Sequence, residues 1–534
     1  MLRARVAFSR RTLPAPSLTA DLFVHGRRRR SRGQERYTNS PIPFRSGIKR
    51  GGHELNFFRS RLTASLIFSG ARFTLNFMHI RCRSWIFLLP ILLVCPAVHA
   101  AERPDIVFIL SDDQGSYDVG WRHSEIKTPQ LDQLARAGTR LENFYVQPLC
   151  SPTRAALMTG RYPMRYGLQV GVIRPDSNYG LPLEERMLPQ ALREVGYTTA
   201  ICGKWHLGSF DKAYWPDHRG FNHWYGMLFG MTDYFKHTRS DKPDWWRNGA
   251  PSHDEGYTTE LIGREAAKVV RDQPKDKPLF LYVPFNAVHF PFQVPEKYKQ
   301  PYAHLPEPRR TYAGMTAAMD EAIGKIVEAI DETGRRKNTL IIFCSDNGGY
   351  KPDTVTSNGP LRGGKGSLYE GGVQTCAFVT WEDHIKPGTT VPAMMHVVDW
   401  YPTLLKLTGA SLNQELPLDG KDIWPSLTKG KPSPHEEILF NSAPDRGAIR
   451  VGDWKLVLHG LNAGSKPPEE ARKGTETTKR TTTSSESIEL FNLAEDPSEK
   501  TNLAGENPKK LKELRARYDA LASQAVPPKN LTEP

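Results

Sequence analysis

Cysteine is scarce in this chain, with six in 534 residues and no Cys-x-x-Cys spacing. That excludes a disulfide scaffold and a cysteine-built zinc module. The 16 histidines form no cluster with the spacing zinc prefers. A long apolar run is missing too: the stretch Trp85 to Cys95 is short and broken by Pro90, so no stable membrane insertion is expected. The Gly-rich GGKGSLYEGG (363–372) is not a phosphate-binding Walker loop, because its lysine is not followed by Ser or Thr. No internal repeat is present.

Most of the chain also lacks a charge excess, although the net charge is +14. Residues 1–77 hold 16 Lys+Arg against 3 Asp+Glu, including HGRRRRSRGQER, and the remainder is near neutral. A basic block without helical or strand period reads as a disordered extension, and no nucleic-acid partner is expected. From Met78, MHIRCRSWIFLLPILLVCPAVHA has a basic start (Arg81, Arg83), an apolar core and a Val98-His99-Ala100 ending. These features predict a secretory signal over 78–100, cleaved after Ala100, with residues 1–77 an over-called start and the mature protein periplasmic or secreted. Cys95 is a weak alternative as a lipidation site, since Val94 is large where Gly or Ala is wanted.

What is present is an alternation of two textures. PDIVFILSDDQG and NTLIIFCSDNGG are apolar, β-branched runs that stop abruptly in acids and amides. They read as buried strands with polar residues at their carboxyl ends. PQLDQLARAG, EERMLPQALREVG and YAGMTAAMDEAIGKIVEAIDETG read as helices, the last ending near Gly334. Strands alternating with helices predict an α/β sandwich around a largely parallel sheet, with ligands outside the strands' carboxyl ends. From about residue 438, GAIRVGDWKLVLH and SIELFNLAEDP predict a small antiparallel sheet, and NPKKLKELRARYDALASQ a closing helix. The division expected is a catalytic domain over 101–437 and an α+β subdomain over 438–534. The polar stretch LNAGSKPPEEARKGTETTKRTTTSSES between those strands reads as a surface loop.

Several residues have the chemistry of a site. Asp112-Asp113 and Asp346-Asn347 would offer oxygens to a hard cation such as calcium or magnesium; a solvated turn or helix cap is the alternative. Cys150, in PLCSPTRAALMTGRYP, stands at a helix start, where the helix dipole would favour a thiolate. A nucleophile, a metal ligand, a structural residue and a precursor all remain open for it. Lys204 and His206 lie on one side if GYTTAICGKWHLG is extended. His289 in NAVHFPFQVP and Lys365, like Lys204 and His206, read in isolation more simply as a packed histidine and a solvated lysine than as functional residues. Trp215, His237, Trp245 and Trp246 would either stack on sugar faces or simply pack.

Together these pieces resemble the sulfatase family. CSPTR followed by LMTG has the form of the signature in which cysteine becomes formylglycine during export, and GYTTAICGKWH resembles the family's second signature. The resemblance runs from about Pro104 to Leu503 and includes ELFNLAEDPSEKTNL. It is most similar to the arylsulfatase B branch, the N-acetylgalactosamine-4-sulfatases, through RGFNHWYGMLFGMTDYF, PLFLYVPFNAVHFPFQVP and PLRGGKGSLYEGGV. Thr153 departs from the signature, where Ser or Ala is commoner.

The resemblance implies an alkaline-phosphatase-like sandwich and hydrolysis of sulfate esters on carbohydrate, with galactosamine or galactose 4-sulfate as first candidate. It implies one Ca2+ held by Asp112, Asp113, Asp346, Asn347 and the hydrated formylglycine at 150. Asp346 would also take the attacking hydroxyl's proton. Lys204, Lys365 and His289 would clamp the sulfate, with His289 or Lys365 protonating the leaving oxygen. His206 would take the proton of the second hydroxyl during elimination from a covalent hemiacetal sulfate, and Arg154 would hold the ligand shell. A geminal diol suits this chemistry because its second hydroxyl expels sulfate without water attacking sulfur, whereas serine would leave a stable ester. The partners implied are a sulfated oligosaccharide or polysaccharide and a formylglycine-generating or sulfatase-maturing enzyme. The alternatives are a formylglycine-dependent phosphonate or phosphodiester hydrolase and an inactive glycan-binding relative.

Overall fold

The computed structural model describes residues 103–443, 446–460 and 487–532. The expected extension (1–77), signal (78–100), Cys95 and the polar stretch 461–486 lie outside them. Ten strands make the main sheet: β1 (Asp105–Ser111), β2 (Thr139–Leu141), β3 (Thr198–Lys204), β4 (His223–Met227), β5 (Trp246–Arg247), β6 (Ala250–Pro251), β7 (Leu279–Pro284), β8 (Thr339–Ser345), β9 (Ala377–Thr380) and β10 (Thr389–Val391). Their spatial order is β10-β2-β9-β8-β1-β7-β3-β4-β5-β6. The five central strands, β8 to β4, run parallel, and antiparallel pairs flank them.

Both faces of the sheet are covered, which is why β1 and β8 are continuous apolar runs rather than alternating ones. Ile106, Phe108 and Leu110 pack into one core, Val107 and Ile109 into the other. Helices α1 (Pro129–Ala137), α3 (Thr258–Asp272) and α4 (Arg309–Glu332) cover the second face. The Asp320 carboxylate on α4 accepts the Gln130 and Leu131 amides at 3.1 and 2.8 Å, tying the two helices at the start of α1. The first face carries α2 (Cys150–Thr159) and α5 (Trp400–Thr408). EERMLPQALREVG is helical only over Leu188–Arg193; Pro189 in its first turn marks the start, and the three charged residues before it contribute no apolar face.

Helix α2 is buried along its whole length. Pro152 sits in the first turn, where a missing N–H is tolerated, and Gly160 closes the helix with a left-handed φ of 69°. Thr153, the departure from the signature, is put to use: its hydroxyl bonds both the amide and the carbonyl of Gln147, each at 3.0 Å.

The small sheet is antiparallel, in the order β11 (Glu437–Ala443), β12 (Arg446–Val451), β13 (Trp454–Leu458) and β14 (Ile488–Asn492). Helix α6 (Pro508–Ala522) closes it through Leu514, Tyr518 and Ala522. Lys455 on β13, fully buried, reaches Glu370 and Glu499 at 2.8 Å each and fastens this sheet to the segment after Lys365. Among the described residues no helix is long and apolar enough to cross a membrane.

Candidate functional site

The site forms where four parallel strands end. Strands β1 and β8 pair in register up to Ser111 opposite Ser345, so the next residues, Asp112 and Asp346, emerge side by side. The Asp346 amide donates to Ser111 O at 3.0 Å, and the Asp112 amide to Ala287 O beyond β7 at 3.0 Å. Asp113 turns with a left-handed φ of 59°, and its amide bonds Asp346 Oδ1 at 3.2 Å. Lys204 ends β3, and its ammonium lies 2.6 Å from Asp112 Oδ2.

Into this cluster α2 presents its first residue. Cys150 Sγ stands 3.5 Å from Asp112 Oδ1 and 3.9 Å from Asp113 Oδ1. One turn later, Arg154 bonds Asp346 Oδ2 through Nε and Nη2 at 3.1 and 2.8 Å and Lys204 O through Nη1 at 3.1 Å. Asp346, given the attacking hydroxyl's proton by resemblance, therefore faces Arg154 and the Asp113 amide. The carboxylates within 3.9 Å of the sulfur are those of Asp112 and Asp113, and Asp346 is near enough to be the strongest charge acting on the thiol.

Lys365 enters from the loop after β8, its amide pinned to Gly349 O at 3.0 Å. Its ammonium lies 2.8 Å from Asp113 Oδ2 and 3.0 Å from His289 Nε2. Because His289 Nδ1 is 2.5 Å from the Phe290 carbonyl, which only accepts, Nδ1 carries the proton and Nε2 accepts from Lys365. His206 departs from the extended reading: its φ is 62°, so it leaves the strand direction right after β3. Asp112, Asp113, Asp346, Cys150, Arg154, Lys204, His289 and Lys365 thus meet in one cluster, through contacts that span up to 252 positions of the chain.

The electrostatics correct one expectation. Burial first, and then Asp346, push the Cys150 thiol well above its ordinary range, so the helix dipole does not produce a thiolate. Burial and Asp346 lift Asp112 to about 7 against Lys204 and Arg154. Burial would lift Asp113 as well, but Lys365 and His289 hold it below the carboxylate range. Asp346 is likewise lowered by Arg154 and Lys204 in spite of burial. Burial and Lys365 take His289 down to about 3, and burial with Lys204 takes His206 well below its ordinary value. Both rings are neutral at pH 7.

The donor set fits a hard cation. One ligand atom each from Asp112, Asp113, Cys150 and His289 lie within 4.8 Å of one another. Asn347 gives its amide N–H to Asp113 Oδ1 at 2.8 Å, which leaves its Oδ1 buried without a partner. An orphaned buried acceptor beside three buried carboxylates is a donor set that suits a hard cation.

The aromatic segment packs. Trp215 and Trp245 are buried, Trp215 lies 4.9 Å from Trp246, and His237 stacks on Trp245 at 4.8 Å. Sequence reading missed the residues that hold the site from behind. Asn358, buried, accepts from the Ser116 and Gly349 amides at 3.2 and 3.1 Å and donates to Gly363 O at 3.0 Å, joining three site loops. Its place just before PLRGG was the one available signal.

A family model described as Sulfatase matches residues 104–410, and one described as the C-terminal region of aryl-sulfatase matches residues 433–532. The chain is 38% identical to arylsulfatase J of Mus musculus over 80% of this chain and 77% of that protein. It is 33% identical to arylsulfatase A of Homo sapiens over 80% and 91%. A solved structure described as Ps i-CgsB in complex with k-i-k-neocarrahexaose is similar at 32% identity and a TM-score of 0.70, covering 80% of this chain and 94% of that one.

Proposed function

Because the chain belongs to the sulfatase family, we propose that it cleaves carbohydrate sulfate esters through a formylglycine made from Cys150, with Ca2+ as its cation and a galactosamine or galactose 4-sulfate as first substrate. It is a sulfuric ester hydrolase of the arylsulfatase type. The observation that carries the reading is the seating of Cys150 between two buried carboxylates at a helix tip, with its thiol held protonated. As a thiol it is a poor nucleophile, and as a precursor it is well placed. The carbohydrate assignment draws on the similar structure bound to neocarrahexaose.

Asp112, Asp113, Asp346 and Asn347 would hold the cation, which when bound supplies Lewis-acid polarisation of the sulfate and favours an attacking alkoxide. Residue 150, once oxidised by a maturing enzyme acting on CSPTR, supplies one hydroxyl to attack sulfur and a second to expel sulfate afterwards. Around that residue, Asp346 takes the attacking hydroxyl's proton, as the resemblance implies, with Asp112 and Asp113 beside it. Lys204 and Lys365 clamp the sulfate oxygens and oppose the charge that spreads over them. His289, bonded to Lys365 through Nε2, shares the sulfate side of the site with that ammonium, and His289 or Lys365 supplies the proton for the leaving sugar oxygen. His206, neutral with an unpartnered Nδ1, receives the proton of the second hydroxyl. Export by the signal from Met78 would deliver the protein to the periplasm or beyond.

Peptide mass spectrometry across residue 150, in protein from the native host, should find formylglycine. Sulfate release should follow on chondroitin, dermatan or carrageenan fragments, and p-nitrophenyl sulfate should turn over faster than a phosphate diester. An intact thiol in active protein would refute the nucleophile. A preference for the diester would point to the phosphodiesterase alternative.

A further inference from the structure

His206 is restrained on every side but one. Its amide donates to Leu228 O at 3.0 Å, and its Nε2 lies 2.9 Å from the Ile173 carbonyl. A carbonyl only accepts, so Nε2 carries the proton and the neutral ring keeps its lone pair on Nδ1. That Nδ1 is buried and has no partner. Gly230 lies against the ring: a Cβ there would stand 2.3 Å from Nε2. The left-handed backbone at His206, φ 62°, persists only where surroundings impose it.

Ser151 completes the restraint. Its hydroxyl donates to His206 O at 3.1 Å and accepts the Ile173 amide at 3.1 Å. The carbonyl of that same Ile173 takes the Nε2 proton. Residues from three separate segments thus form a closed ring of hydrogen bonds around one imidazole. Ser151 is only 1% exposed. It immediately follows residue 150 on α2, yet its hydroxyl is fully committed to these two backbone groups.

We propose that Ser151 is a positioning residue that fixes the tautomer and aim of His206 Nδ1, and so sets the rate at which sulfate leaves residue 150. The inference rests on the formylglycine reading above. In release, Nδ1 takes the proton of the second hydroxyl, and that O–H electron pair becomes the new C=O bond. The bond from the same carbon to the sulfate oxygen breaks with its electrons, freeing sulfate and restoring the aldehyde. Attack on sulfur uses other groups, so disturbing Ser151 slows the second step and spares the first.

The test compares wild type with Ser151→Ala and Ser151→Thr, each normalised to formylglycine content by mass spectrometry. With p-nitrophenyl sulfate, Ser151→Ala should lower kcat and KM together by about 10- to 100-fold. Its kcat/KM should hold within about threefold, with a burst of nitrophenol equal to the active enzyme. Ser151→Thr keeps the hydroxyl and should recover release. A second readout needs no turnover: the 15N imidazole spectrum of His206 should show one tautomer in wild type and a mixture in Ser151→Ala. Loss of kcat/KM without a burst, or an unchanged imidazole spectrum, would overturn the proposal. If wild type releases no sulfate, the formylglycine reading fails and the release role with it; the spectrum separately decides whether Ser151 holds the ring.

Discussion

Replacing Lys455 by methionine should weaken the fold at the seam between the small sheet and the catalytic loops, and more so at high pH. The lysine is fully buried and lies 2.8 Å from both Glu370 Oε1 and Glu499 Oε1. Removing its charge leaves two buried carboxylates, with Arg450 at 3.9 Å from Glu370 as the remaining cation of the cluster. Breaking a buried pair from one side typically costs about 3–5 kcal/mol. Glu499 sets the pH dependence. Burial raises it to about 7, with Lys455 opposing the shift and Glu370 adding to it. The folded state therefore binds this proton more readily than the unfolded chain does. Its contribution to stability is present below the ordinary glutamate range and is lost as pH rises through about 7. A displacement from 4.5 to about 7 corresponds to about 3 kcal/mol. Without Lys455 the value climbs further, so the variant's deficit should be largest near about pH 8.5 and shrink toward about pH 6. Activity should fall as well, because Glu370 follows the Lys365 loop and Gly371 N bonds Arg362 O at 2.8 Å. Chemical denaturation at the two pH values measures the deficit. Equal midpoints for variant and wild type, or a deficit that grows on acidification, would refute the claim that this lysine neutralises two buried carboxylates.

Arg154→Lys should cost about 100-fold or more in kcat, since an ammonium cannot make the three contacts to Asp346 and Lys204 O at once; steady-state kinetics beside a melting curve separates lost activity from lost fold. Gly230→Ala should displace the His206 ring, which a Cβ would meet at 2.3 Å, and lower kcat by about 100-fold while secondary structure by circular dichroism stays intact. Chelation should abolish turnover and lower the unfolding temperature, and Ca2+ at about 100 times its Kd should restore about 2.7 kcal/mol; full activity in chelator would remove the cation from the mechanism.

The element types were legible locally. The β-branched runs ending in Asp112 and Asp346, the 3.6-residue period of α4 and the Cys150 helix start follow from steric and burial preferences that act over a few residues. The signatures at CSPTR and GYTTAICGKWH were legible as resemblance. Three things were not. The thiol's ionisation depended on Asp346 and on complete burial, which outweigh the local helix dipole. The tryptophans' roles depended on which neighbours covered them. The His206 turn depended on Ser151, Ile173 and Gly230, three residues with no chemical signature of their own. The sequence by itself determined which segments become strands and helices and which side chains carry charge. The tertiary structure decided, through the pairing of β1 with β8 and the path of the loops, that groups up to 252 positions apart share one buried volume. The physical reason is that propensity acts on neighbours in the chain, whereas desolvation and charge pairing act on neighbours in space.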